Sequence, residues 1–258
     1  MSDQENEKER GKDIGPPWID VVTMAMPRLT TEICITSFLE CMEDRRDFRL
    51  RWIFCLDRPP PNRLHYARFY ERNLDIARFV SQHFDDSLIL TTDENRGYGG
   101  SVRACLERVR HRVAWVEDDK LWSRRFSMAK TLDTSDGGKR FVFWPQYEGH
   151  KRTIRRWRGQ GIVCHPGATC PGLWADGAPQ FLLQNFPPVL KRVSEMALIY
   201  IVKFHGGYES AYYDEEWYSR DLLYCGSHYA KRYLDEERGV RVRFASYQES
   251  LDACGWKP

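Results

Sequence analysis

"ENRGYGGSVRACLERVRHRVAWVEDD", residues 94–119, decides the fold. It opens as a turn, with Asn95 followed by Gly97, Gly99 and Gly100. Its middle, "GGSVRACLERVR", places small and apolar residues at helical spacing, and "HRVAWV" reads as a strand. The strand runs straight into three acids, Glu117, Asp118 and Asp119. Adjacent carboxylates repel one another unless a cation or water relieves them. A charged surface turn is one explanation; a site for a metal-bound nucleotide is the other.

The residues before this stretch extend the same alternation. "WIDVVTMAMP" reads as a first strand stopped at Pro27. "LTTEICITSFLECMEDR" reads as a helix with a Thr N-cap and Ile33, Ser37, Phe38 and Cys41 on one face. "FRLRWIFCLDRPPP" is a second strand, "RLHYARFYERNLDIARFVSQHF" a long amphipathic helix and "SLILTTDENRG" a third strand with a turn. Strand–helix alternation of this kind predicts a mostly parallel sheet with helices on both faces. Ligands of such sheets sit beyond the carboxyl ends of the strands. Asp57, the turn at 93–100 and the acids at 117–119 all fall there.

The second half is less regular. "KRFVFWPQ" reads as a strand, and "CHPGATCPGLWADGAPQFLLQNF" as a Gly/Pro-rich connection into a helix with Pro179 in its first turn. "MALIYIVKFHGG" fits a strand or a buried helix. "YYDEEWYSRDLLYCGSHYAKRYLDEE" reads as helical and "GVRVRFA" as a last strand. Residues 120–160 carry eleven Lys/Arg against three acids, densest in "HKRTIRRWRGQG". Such a run is either a solvated loop or an electropositive surface for phosphates.

Several function classes are disfavoured. The first strand is followed by "AMPRLTT", without the glycine that a dinucleotide or methyl-donor site needs there. No G-x-x-x-x-G-K-[ST] and no G-x-S-x-G motif occurs. The eight cysteines include no C-x-x-C pair, and several lie in apolar runs (Cys34, Cys41, Cys55), which suits reduced thiols of a cytoplasmic protein rather than a disulfide frame. The opening "MSDQENEKERGKDIGPP" is too hydrophilic for a signal peptide and reads as a disordered tail over 1–17. The apolar run "MALIYIV" is too short to span a bilayer. What remains is a site built on acids, and hard cations such as Mn²⁺ or Mg²⁺ prefer carboxylate oxygen.

The stretch 94–119 resembles the core of GT-A fold glycosyltransferases, particularly the large inverting family-two type. These show an Asn and glycines after the third strand, a small-residue helix, and an apolar strand ending in an Asp-x-Asp or Glu-Asp-Asp motif. The resemblance covers roughly residues 18–120 well and the rest loosely. It implies an α/β, GT-A (Rossmann-like) sheet with a smaller acceptor-side subregion, in one domain over 18–258. Residues 18–120 form the half that binds a nucleotide-sugar donor, and 121–258 the acceptor-binding and catalytic half.

Site roles follow from that resemblance. Asp119 is the metal ligand, with Glu117 and Asp118 near the nucleotide or metal-bound water. Asp57 contacts the nucleoside, or is a turn residue before the prolines. The exit of the first strand, Ala25, Pro27 and Arg28, lines the base pocket. Arg96 and Arg103, near Gly97 and Gly99, face the diphosphate or the surface. On the acceptor side "HPGATCPGLW" resembles the family's Gly-rich loop, so Gly172 adjoins the acceptor and Trp174 stacks on a sugar, unless Trp174 is a buried core residue. Arg155 and Arg156 belong to the basic stretch and are acceptor-binding candidates. The family's catalytic base opens a helix, which "YYDEEWYSR" fits with Asp214, Glu215 or Glu216; the position relative to Arg220 favours Glu216. Here the chain shows Glu-Glu where the family usually shows Glu-Asp, and acids at a helix start also suit its dipole. His205 or His228 completes the metal shell, or is structural.

The function these readings imply is metal-dependent transfer of a sugar, with inversion, from a nucleotide sugar (a uridine diphosphate sugar most often in such families) to an acceptor hydroxyl. A hydroxymethylated base in phage DNA is the favoured acceptor, because the basic middle suits nucleic acid; the location is then the host cytoplasm. The alternatives are a glycosyltransferase for cell-surface polysaccharide and a non-catalytic GT-A-like binding module. A sugar nucleotidyltransferase lacks its Gly-rich first loop here.

Overall fold

Strand β2, Arg49–Leu56, turns Leu50, Trp52, Phe54 and Leu56 to one side and Ile53 and Cys55 to the other, all buried. A strand buried on both faces needs cover on both, and the chain supplies it with helices. In the computed structural model, residues 15–25, 27, 30–59, 67, 69–118, 120–122, 124–144, 172–213, 220–221, 252, 255 and 257 are described. Strand β1 is Trp18–Ala25, β3 is Asp86–Thr91 and β4 is Arg112–Trp115. Between them run helices α1 (Thr31–Cys41), α2 (Tyr70–Ser81) and α3 (Gly97–Leu106). After β4 come β5 (Lys120–Leu121), α4 (Met128–Thr134), β6 (Arg140–Phe143) and β7 (Gly172–Leu173). Helices α5 (Ala178–Gln184) and α6 (Glu195–Tyr200) lead to β8 (Glu209–Tyr212) and β9 (Arg220–Asp221).

The sheet order is β3-β2-β1-β4-β7-β6-β8, with β5 and β9 paired separately and antiparallel. Strands β1 to β4 are parallel, so their carboxyl ends share one edge. The chain winds outward from β1 through β2 to β3, then returns to lay β4 on the other side of β1. That reversal opens a crevice between the ends of β1 and β4, the switch point where ligands of open α/β sheets bind. Strand β7 is antiparallel to β4 and β6, which restores the original direction in β6 and β8.

Two cores flank the sheet. One packs Ile35 and Phe38 of α1 and Leu74, Ala77 and Val80 of α2 over Val21, Trp52 and Phe54. The other packs Val102 and Cys105 of α3, Leu182 of α5 and Leu198 of α6 over Val22, Ile53 and Trp115. Trp52 ends in a polar atom, and its indole N–H donates to the buried Thr23 hydroxyl at 3.0 Å. At the amino edge, Asp20 is fully buried and accepts from the backbone N–H groups of Arg110 (2.6 Å) and His111 (2.8 Å). It thereby fixes the turn that feeds β4. Cys34, Cys55 and Cys105 are buried thiols and Cys41 is partly buried, as expected of reduced cysteines; the other cysteines lie outside the described residues.

Two local expectations change and one open alternative is resolved. Ile33 is 50% exposed, and the buried face of α1 is Thr31, Cys34, Ile35, Ser37 and Phe38, because the sheet lies one position round the helix. "MALIYIVKFH" is helical: Ser194 caps α6, which widens into a π-helical turn at Ile201–His205. Arg220 and Asp221, expected in a helix, form a strand pair with Lys120 and Leu121. Tyr212, at the start of that expected helix, ends strand β8; residues 214–219 and 222–237, the last strand at 239–245 and the tail over 1–14 lie outside the described residues.

Helix α4 has no long apolar period and depends on its start. Ser127 accepts from the Lys130 N–H, and Asp44 accepts from Ser127 Oγ (2.7 Å) and from the N–H groups of Met128 and Ala129 (both 2.8 Å). Burial works to raise the Asp44 pKa, but those donors outweigh it and hold the carboxyl below its ordinary value. Asp44→Ala is expected to lower unfolding free energy by about 1–2 kcal/mol near neutral pH. A depressed pKa stabilises above the unfolded value of 3.8 and loses that contribution as pH falls through the folded one. Urea unfolding should therefore show wild type and Asp44→Ala converging as pH falls below about 4. A constant gap across that range would contradict the assignment.

Candidate functional site

The carboxyl edge gathers the sheet's polar exits. Strand β4 makes its last ladder bond to β1 through the Val116 N–H on the Val22 carbonyl, 2.9 Å. Glu117 and Asp118 follow beyond the sheet, Glu117 half-buried and Asp118 only 3% exposed. Ala25, the end of β1, and Pro27 are buried beside them at the switch point. Asp119 and Arg28 lie outside the described residues.

The segment after β4 is stitched along helix α1. The Thr30 hydroxyl donates to the Asp118 carbonyl at 2.9 Å, a buried bond spanning 88 residues. Ser37 Oγ accepts from the Trp122 N–H at 3.2 Å. The Phe126 N–H donates to the Cys41 carbonyl, and the Glu43 N–H to the Phe126 carbonyl, both at 2.9 Å. Phe38 packs edge-on to Trp122 with ring centres 5.0 Å apart. Thr30 stands at the N-cap position of α1. Its backbone is helical, and its side chain makes no capping bond to its own helix; the hydroxyl is directed at Asp118 instead.

On the other side of β1, Asp57 follows β2. One carboxylate oxygen accepts from the Arg96 N–H and the other from the Gly97 N–H, both at 2.9 Å. It thus holds the start of α3, where Gly97 takes φ +71°, a conformation that favours glycine. Burial raises the Asp57 pKa, against the pull of the two N–H donors and the Arg96 charge. Asn95 Nδ2 donates to the Arg58 carbonyl at 2.7 Å, and the Arg58 guanidinium lies over the Tyr70 ring, 5.3 Å from its centre. Gly99 is needed for contact with the turn at Leu190–Arg192, since a Cβ there would sit 2.5 Å from Val193 Cβ and 2.6 Å from the Leu190 carbonyl oxygen.

The other expected site residues fall elsewhere. Arg103 is six residues along α3 from Gly97 and pairs with Glu107 at 2.9 Å, on an exposed face. Trp174 is 1% exposed, stacked on Trp115 with centres 5.5 Å apart, so its ring has no open face for a sugar. Gly172 is a packing residue too: a Cβ would sit 2.7 Å from the Val142 carbonyl oxygen across the β6–β7 pair. His205 is exposed and precedes the start of β8, at the amino edge, about 10 Å or more from the carboxyl edge by strand rise. That separation takes it away from the acids. Asp214, Glu215, Glu216, His228, Arg155 and Arg156 lie outside the described residues. Their flanks are described: β8 ends at Tyr212 on the carboxyl edge, and Arg220–Asp221 pair beside the acid turn.

Thr30, Ser37, Arg58 and Tyr70 were not singled out as site residues by the sequence. A Thr before a helix is an ordinary cap by pattern, and only the fold reveals a hydroxyl aimed 88 residues away. Arg58, between Asp57 and the prolines, carried a positional hint.

The sequence matches no protein-family model and no curated protein. Solved structures do match. Glucosyl-3-phosphoglycerate synthase from Mycobacterium tuberculosis, solved with Mn²⁺, uridine-diphosphate-glucose and phosphoglyceric acid, superposes with a TM-score of 0.52 at 13% identity, over 95% of this chain and 82% of that one. The same synthase solved with Mg²⁺ and uridine diphosphate gives 0.50 at 14% identity, over 98% and 84%. S. aureus TarS gives 0.50 at 9% identity, over 90% of this chain and 41% of that one. At these identities the likeness shows the fold, an α/β sheet of the GT-A (Rossmann-like) kind.

Asp57→Ala removes the acceptor of two backbone donors at the start of α3. It is expected to lower stability by about 1–2 kcal/mol. Chemical denaturation checks this, and an unchanged midpoint would contradict the anchoring role.

Proposed function

We propose that this chain is a metal-dependent glycosyltransferase that moves a sugar from a nucleotide sugar, a uridine diphosphate sugar first among them, to an acceptor hydroxyl with inversion. The observation that carries the reading is the acid turn: Glu117 and the buried Asp118 leave β4 at the switch point of a sheet shared with the Mycobacterium tuberculosis synthase. That synthase is solved with Mn²⁺ and a uridine diphosphate sugar, which supports the same donor class here.

The donor set fits a hard cation. Three consecutive carboxylates offer only oxygen, the ligand Mn²⁺ and Mg²⁺ prefer. Asp119 would hold the metal, with Glu117 and Asp118 serving the nucleotide. The ion, when bound, supplies positive charge against the diphosphate leaving group. His205 is left out of the shell because it lies at the opposite edge. The amino-terminal half, 18–120, binds the donor in this reading, and 121–258 supplies the acceptor side.

The chain's own part in the transfer is deprotonation and placement. One of Asp214, Glu215 or Glu216, with Glu216 preferred, takes the proton from the acceptor hydroxyl. The oxygen then bonds to the anomeric carbon as the bond to the diphosphate oxygen breaks, and the configuration inverts. Two flanking features support this placement of the base: β8 ends on the carboxyl edge, and Arg220–Asp221 pair with the strand that follows the acids. The basic stretch around 150–161, whose charge suits a DNA acceptor, lies outside the described residues. Among the described residues no helix is long and apolar enough to cross a membrane.

Nucleotide release from uridine diphosphate sugars with Mn²⁺ tests this. Asp119→Ala is expected to abolish release, and Glu216→Ala to slow transfer by roughly 10²–10⁴-fold, the span of a lost general base, while keeping nucleotide binding. Full activity of Asp119→Ala in the presence of chelator would overturn the metal assignment. Binding without turnover in the wild type would favour a non-catalytic module.

A further inference from the structure

We propose that Thr30 is a positioning residue for the acid turn, its hydroxyl fixing the backbone from which Glu117, Asp118 and Asp119 serve a divalent cation and a diphosphate; this rests on the functional reading above. The local alternative for a Thr before a helix is to accept an N–H of the first turn. Thr30 instead donates to the Asp118 carbonyl at 2.9 Å, and it is 6% exposed. That carbonyl belongs to the peptide group joining Asp118 to Asp119. The bond therefore holds the plane that links the candidate nucleotide acid to the candidate metal ligand.

The hydroxyl has a firm base to act from. Thr31 beside it accepts from the fully buried Asn73 amide at 3.0 Å, which ties the start of α1 to α2. Ser37 secures the far side of the turn. Its hydroxyl donates to the Cys34 carbonyl (3.0 Å) and accepts from the Trp122 N–H, so both of its roles are fixed. Phe38 is wedged among Trp122, Phe126 and Trp144. Helix α1 thus grips residues 118 and 122 with two hydroxyls, four residues apart in the turn and seven along the helix. A buried bond to a main-chain carbonyl restricts the peptide without using up a carboxylate oxygen.

The test is uptake of Mn²⁺ by the full chain in the presence of uridine diphosphate, read from the electron paramagnetic resonance signal of free Mn²⁺, alongside the melting temperature. Thr30→Val keeps the shape and removes the donor, and is expected to weaken Mn²⁺ uptake about 10-fold, the worth of one buried hydrogen bond. Thr30→Ser restores the donor and should bind within about 3-fold of wild type. Thr30→Cys, a weak donor of similar size, should fall between them and serves if Thr30→Val does not fold. Variants lacking the hydroxyl that melt lower yet take up Mn²⁺ as wild type does would overturn the positioning role. A wild type that takes up no Mn²⁺ with uridine diphosphate would contradict the functional reading itself and remove this inference with it.

Discussion

The site depends on one pairing: helix α1 lying along the chain that follows β4. A strand of four residues cannot by itself control what comes after it, and β4 runs only from Arg112 to Trp115. Past its end, Thr30 holds Asp118, Ser37 holds Trp122, Cys41 and Glu43 hold Phe126, and Asp44 holds the start of α4. The helix in turn is not strong on its own terms. Its β-branched residues, Thr31, Ile33, Ile35 and Thr36, are mediocre helix formers, so it forms because Ile35 and Phe38 bury against the sheet. Packing makes the helix, and the helix then places the acids.

The same economy of means holds the other lip of the crevice. Asp57 directs both carboxylate oxygens at the N–H groups of Arg96 and Gly97, and the positive φ of Gly97 lets the chain turn onto them. At the opposite edge, Asp20 does similar work for the entry to β4. Both carboxylates, Asp57 and Asp20, are buried and serve as architecture.

Much of the first half was legible in the sequence because its signals are local. The two-residue period of Leu50, Trp52, Phe54 and Leu56, the glycines at the start of α3 and the acids after β4 each declare themselves within a few residues. What was not legible depends on distant partners. Trp174 has the look of a sugar platform in a Gly-rich stretch, yet it fills the gap beside Trp115. Helix α4 has no period to detect and is capped from Asp44. Arg220 and Asp221 sit in a segment of helical composition, and only the pairing with β5 makes them a strand. His205 shares a residue type with metal ligands, but the direction of β8 puts it at the wrong edge.

In the proposed function, the acid turn at the switch point takes a nucleotide diphosphate through a metal. Calorimetric titration of the wild-type chain with uridine diphosphate, with and without Mn²⁺, tests it most directly. Saturable binding with Mn²⁺ that disappears on addition of chelator is expected. Binding of equal strength in the two conditions, or none in either, would contradict it.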